Sequence, residues 1–241
     1  MNAAVKQPPV RVKRHRRRWY AAPLGFAILL LAVIGLVSLI VLAVRGIQSS
    51  RNTDELRQQV YGFTYPLAIQ NPSAFSDPAN EHQDALMLAA IWRVTNNEVI
   101  RQKQLPDSPA RYEKDDLGRW VIPISEISVA YSELFGAQAI PYCHTIGEAG
   151  TAGAYEYSLT RSCYYVPASN ASHSAYTPVV DTVRRSGDTI TARIGYVRND
   201  QLTYDPAGQA IPPSADLATY TQTYTIAVSG DRWTITAVAD K

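Results

Sequence analysis

Residues 20–44, YAAPLGFAILLLAVIGLVSLIVLAV, form one unbroken stretch without a charged side chain. As a helix rising 1.5 Å per residue it spans roughly 37 Å, against about 30 Å of bilayer hydrocarbon. Burying a helix that is apolar on every side inside a soluble domain would need a larger core than this chain can supply. The stretch therefore predicts a single transmembrane helix over 20–44. Trp19 and Tyr20 stand where interfacial aromatics belong, and Pro23 falls in the first turn, where its missing N–H is harmless.

Charge sets the orientation. Residues 1–19 hold seven of the 23 Lys and Arg (Lys6, Arg11, Lys13, Arg14, Arg16, Arg17 and Arg18) and no acid. The other 16 face all 21 Asp and Glu, so the chain beyond the apolar stretch is acidic, with a net charge of −5. The Lys/Arg bias predicts a cytoplasmic tail at 1–19 and an extracytoplasmic domain, which makes the chain a single-pass cell-membrane protein. Arg14, Arg16, Arg17, Arg18 and Trp19 are the membrane-surface candidates, each basic group adding about 1 kcal/mol near anionic lipid. Nucleic acid is not an expected partner, because the tail has no aromatic before Trp19 and the rest of the chain is acidic. A cleaved signal peptide is the alternative reading. Its apolar core runs about 7–15 residues to a small-x-small site, whereas this stretch is longer and ends in LAVRG.

A polar spacer, 45–53, precedes the domain 54–241. Thr53 or Asp54 is placed to cap a helix over 54–70, with Leu56, Val60, Phe63 and Leu67 at spacings of three and four. Asp77-Pro78 is a second start signal, for a helix over 78–96 with Ala85, Leu88, Ala89 and Trp92 on one face. RYEKDDLGRWVIP suggests a small hairpin turning at 115–118, with Tyr112 and Trp120 in its arms. A third helix is predicted between Ser125 as cap and Gly136 as stop, burying Ile127, Ala130, Tyr131, Leu134 and Phe135.

The period then becomes two. AYEYSL and SCYYVPA read as strands joined by Thr160-Arg161. Two hairpins turn at SGD sequences, 186–188 and 229–231. The first alternates Ile190, Ala192, Ile194 and Tyr196. The second alternates Tyr220, Tyr224, Ile226 and Val228 against Trp233, Ile235 and Ala237. The proline-bearing stretch 199–215 reads as a long surface loop. Helices followed by a run of strands predict an α+β fold, three helices packed on one face of a curved antiparallel sheet.

That element order, with the closing strand pair IAVSGDRWTITAV, resembles the cystatin-like α+β cone of the nuclear-transport-factor-2-like superfamily. The layout of basic tail, one membrane helix and outer domain is similar to that of bitopic components of bacterial conjugation and secretion machines. The resemblance is one of topology. It implies a fold and no residue-specific role.

Cys143 and Cys163 both fall outside the predicted membrane segment, which favours a disulfide closing a loop of about 20 residues, worth roughly 3 kcal/mol. The alternative is two free buried thiols acting as small apolar residues. His144 and Glu148 beside Cys143 are too few and wrongly spaced for a zinc site. His82 belongs to the polar face of the second helix, and no catalytic or cofactor motif is present. Tyr155, Tyr157, Tyr164, Tyr165, Tyr220 and Tyr224 crowd the strands. They suit half-buried sheets, and as interface candidates they also suit recognition. The sequence thus predicts a non-catalytic interaction or assembly domain, meeting other envelope or membrane proteins or copies of itself. The first alternative is a small-molecule or peptide sensor with a pocket between sheet and helices. An enzyme of unassigned type comes third.

Overall fold

The computed structural model describes residues 54–151, 153–167 and 174–240. The expected tail (1–19), membrane helix (20–44) and spacer (45–53) lie outside the described residues. Among the described residues no helix is long and apolar enough to cross a membrane.

The first helix, α1, covers 54–68. It buries Val60, Thr64 and Leu67 and half-buries Leu56 and Phe63, the face given by the three-and-four spacing. The Thr64 hydroxyl is satisfied within the helix, donating to Val60 O at 2.8 Å. Asn71 takes a positive φ of 50° three residues past the end, a conformation asparagine tolerates better than most residues.

The second helix departs from expectation at both ends. Asp77 does cap, accepting from Ala79 N–H at 3.0 Å, but only the 3₁₀ turn Pro78–Asn80 follows. Helix α2 spans Asp84–Gln104. It passes through Asn96 and Asn97, where local propensity favours stopping, because its buried stripe continues through Met87, Ile91, Val94 and Glu98. That stripe is rotated from the expected one, so Trp92 is only half-buried, with its ring against Tyr65 at 5.3 Å.

Strand β1, Trp120–Pro123, leads directly into α3, Ile124–Phe135. Ser125 is not the cap. The helix starts one residue ahead of it, where Ile124 N–H donates to Ser162 O at 2.9 Å, a tertiary bond that no local pattern reveals. All five predicted residues (Ile127, Ala130, Tyr131, Leu134, Phe135) are buried, and Gly136, at φ 92°, ends the helix.

The strands form two antiparallel sheets rather than one. The smaller has the order β1-β3-β2, with β2 at Glu156–Ser158 and β3 at Cys163–Val166. With β1 on one side and β2 on the other, β3 has no free edge to offer the later strands. The expected hairpin at 115–118 survives as a turn. Asp115 Oδ1 accepts from Leu117 and Arg119 N–H, but the first arm is reduced to a single bridge, Lys114 to Trp120.

The larger sheet is a meander of β4 (Tyr176–Ser186), β5 (Thr189–Arg198), β6 (Tyr220–Ser229) and β7 (Arg232–Asp240). Both SGD turns are two-residue hairpins, with Gly187 and Gly230 at φ 58° and 60°, a geometry that asks for glycine at the first central position. On β5, Ile190, Ala192, Ile194 and Tyr196 face the core as expected. Gly195 and Val197, on the opposite face, are buried too. The end of the 199–218 loop covers them so closely that a Cβ on Gly195 would stand 2.7 Å from Ala218 Cβ. On β7 the register shifts at Thr236, so Val238 is buried in place of the expected Ala237. The helices and both sheets share one core, in which Tyr131, Tyr164, Tyr196, Tyr224, Leu67 and Ile91 are among the largest fully buried side chains.

Candidate interaction site

The six tyrosines proposed for recognition divide sharply. Tyr164 and Tyr224 are fully buried and present no surface to a partner, which corrects that expectation for these two, whereas Tyr155 is buried but for an edge that lines a small recess beside Leu88 and Tyr176. Inward-facing strand positions in a small domain must be filled, and tyrosine fills them if its hydroxyl finds a partner. The Tyr164 hydroxyl accepts from His144 N–H (3.0 Å) and donates to His144 O (2.8 Å). Tyr224 shares a 2.8 Å hydrogen bond with Tyr196, which also donates to Gln222 Oε1 at 2.7 Å. Gln222 in turn donates to Pro72 O and Asp240 Oδ1, joining the sheet to the segment after α1. Burial pushes the Tyr164, Tyr196 and Tyr224 hydroxyls above their ordinary range, so these hydroxyls stay protonated. Tyr157 and Tyr220 are half-buried, packed on Tyr164 and Tyr196 respectively. Half-buried Tyr165 has the Arg119 guanidinium 4.9 Å from its ring centre and accepts at its hydroxyl from Arg161 Nη1 at 3.1 Å.

The expected disulfide is not made: Cys143 and Cys163 are both free thiols. Cys163 sits on β3 one residue before Tyr164. Successive strand residues point to opposite faces, and Tyr164 reaches toward the Cys143–His144 segment. The Cys163 thiol therefore points away from Cys143. Burial raises both thiols, which keeps them protonated and unreactive. Both ring nitrogens of His144 face an oxygen. Its Nδ1 faces Tyr142 O at 3.1 Å and its Nε2 faces Asp84 Oδ1 at 2.7 Å. Among the described residues no three His, Cys, Asp or Glu side chains could together hold a metal.

Two charged clusters were not foreseen. Glu98, with 3 % of its surface exposed, accepts from Arg101 Nε and Nη2, Gln102 Nε2 and Arg111 N–H. It fastens the end of α2 to the following loop. Buried Arg119 donates to Asp115 and Glu156. The i,i+3 and i,i+4 spacings of Glu98–Arg101 and Asp115–Arg119 were visible, but their burial was not. Both clusters are fully paired, and no buried side-chain N or O among the described residues lacks a partner. They fasten neighbouring segments of the chain to one another.

Side chains fill the space between sheets and helices, and the larger recesses open on the surface. A cleft of about 750 Å³ lies at one end, among Phe63, Gly136, Arg232 and Trp233, with Arg93 and Glu133 paired at 3.1 Å on its wall. A second recess of about 570 Å³ is more apolar. It is lined by Tyr61 and Tyr65 of α1, by Thr177, Pro178, Val179 and Val180 of β4, and by Leu202, Ile211, Pro212 and Pro213 of the long loop. Four consecutive strand residues alternate between two faces, so a recess touching all four runs along the strand's edge. This slot has aromatic rings on one wall and prolines on the other. Tyr61, 39 % exposed, and Tyr65 pack at 5.2 Å, continuing the contact to Trp92.

No protein-family model, no curated protein and no solved structure matches the chain. The site must therefore be read from its own chemistry.

Proposed function

We propose that the chain is a single-pass membrane protein whose residues 54–241 form an extracytoplasmic, non-catalytic interaction domain that assembles with other envelope or membrane proteins. The observation that carries this reading is the slot along β4, an apolar, aromatic-walled recess at the edge of a sheet. Exposed recesses of this kind in a fully paired surface suit protein contacts. The sensor alternative calls for a cavity between sheet and helices, and that space is occupied by Tyr131, Tyr164, Tyr196 and Tyr224. An enzyme would need convergent, unpaired titratable groups, whereas Glu98 is tied to Arg101, Gln102 and Arg111 N–H, and Arg119 to Asp115 and Glu156.

The test places a photo-reactive phenylalanine analogue at Tyr61 in the full chain in its native membrane. A control carries it at exposed Val129 on α3. A discrete crosslinked adduct at Tyr61 and none at Val129 is expected. No adduct at Tyr61, or the same adducts at both positions, overturns the reading. For orientation, a cysteine at exposed Leu159 should react with a membrane-impermeant maleimide in intact cells. Labelling only after permeabilisation would reverse the topology.

A further inference from the structure

We infer that the slot along β4 takes an extended segment of a partner protein as an added β-strand, apolar where it enters the slot and acidic where it passes residues 183–185. This deepens the interaction reading and rests on it.

Register gives the first argument. Asn199 N–H donates to Ala175 O just before β4, which sets the phase of the β4–β5 ladder. Counting by two, Thr177 and Val179 turn their backbone groups toward β5, while Pro178 and Val180 turn theirs outward. Asp181 is the extra residue of a bulge. Beyond it Thr182 and Arg184 face β5, and Val183 and Arg185 face outward. Strand β4 is the edge of its sheet, and among the described residues no backbone group from outside the sheet bonds to its outer side. The edge is blunted at three points, the first at Tyr176, whose N–H donates to Ser174 Oγ at 3.2 Å. Pro178 has no N–H to offer, and Arg57 Nη2 donates to Asp181 O at 3.1 Å. Among the described residues Val183 and Arg185 leave their outward donor and acceptor unbonded, a template for strand addition, while Val180, buried in the core, borders the slot.

The walls give the partner's character. Side chains of an added strand alternate between faces. Within the slot one face would meet Tyr61 and Tyr65 and the other Ile211 and Pro212. Both faces are mainly apolar, with Arg57 and Gln58 at the α1 wall as the charged and amide residues of the lining, so the entering part of the partner is apolar at successive positions rather than alternate ones. Past the bulge the surroundings are basic. Arg193 pairs with Asp181, but Arg184 has no carboxylate partner among the described residues, and Arg185 donates only to Gly187 O. A second copy pairing antiparallel through the same edge in a register centred on residues 184–185 would bring these arginines against their own counterparts, and like charges across a strand pair are destabilising. An acidic partner segment complements them instead.

The probe is a short synthetic peptide, Val/Leu-rich in its first half and Asp/Glu-rich in its second. It is compared with the same peptide carrying Lys for the acids and with a proline-rich peptide. The full chain is used in detergent micelles, and the readout is amide hydrogen exchange, because the acidic peptide would also meet the basic residues at 11–18. Slowed exchange over 180–185, without change in β7, is expected with the acidic peptide alone. Affinity should fall by about tenfold or more, about 1.4 kcal/mol, in Arg184→Glu/Arg185→Glu, and similarly in Val183→Pro, which removes one outward N–H. Binding without protection of β4, equal binding of the Lys peptide, binding of the proline-rich peptide alone, or a chain that dimerises through this edge overturns the inference. If the Tyr61 adduct persists in both variants, strand addition falls while the interaction reading stands; if Tyr61 captures nothing in the unmodified chain, the interaction reading itself falls.

Discussion

Replacing Glu98 with glutamine should destabilise the domain by about 3 kcal/mol at neutral pH, with a pH dependence that identifies the cause. The carboxylate accepts from Arg101 Nε and Nη2 (both 2.7 Å), Gln102 Nε2 (2.8 Å) and Arg111 N–H (3.0 Å). Chiefly through the Arg101 hydrogen bonds, and against the cost of burial, its pKa is lowered from 4.5 to about 2. A carboxyl held down in the folded state contributes stability that is complete above its unfolded value, near 4.5, and is lost as pH falls through about 2. Across that interval linkage amounts to about 3 kcal/mol. This is an upper figure, because the Arg101 side chain stays 31 % exposed and water screens the pair. Glutamine keeps the shape but turns an N–H toward donors that need an acceptor, so the cost should approach that figure. For a domain of this size it corresponds to a fall in Tm of about 6–12 °C. Thermal melts of both proteins from neutral pH down to pH about 3 would show a constant gap above the ordinary carboxylate range, narrowing below it. A gap under about 1 kcal/mol at neutral pH, or one that widens in acid, would refute the reasoning.

Tyr196→Phe removes the hydroxyl that bonds both Gln222 and Tyr224. It should cost about 2 kcal/mol in urea unfolding, against about 1 for Tyr224→Phe, which leaves the Tyr196–Gln222 bond in place. Gly195→Ala should destabilise by about 1–3 kcal/mol, because the new methyl meets Ala218 Cβ. Adding Ala218→Gly should recover most of the loss in a double-mutant cycle, and failure to recover it would mean that backbone conformation, rather than the contact, is responsible. Alkylation of the unfolded, unreduced chain should add a label at both Cys143 and Cys163, seen by intact mass. A protein that takes up label only after reduction would show that the two thiols find each other after all.

Periodicity alone determined much of this domain. The buried face of α3, the end of that helix at Gly136, the two SGD hairpins and the alternation along β5 are all local properties. Each needs only side chains on one repeat and a glycine where φ must be positive. The start and stripe of α2, the split into two sheets and the bulge at Thr236 depended on what the rest of the chain packed against those segments. Buried Val94 and Glu98, on either side of the two asparagines, carry α2 through them, and β3 is already paired on both sides. The cysteines illustrate the limit most clearly. Their number and spacing suited a bridge, but strand alternation aims Cys163 away from the segment that Tyr164 holds. The tyrosines are similar: composition showed that they were many, whereas burial decided which were core and which were surface. The slot along β4 was invisible in the sequence because its walls lie far apart along the chain, at 57–65, 177–180 and 202–213. Only the tertiary structure brings those three together, and an edge strand becomes a site only when its neighbours leave it room.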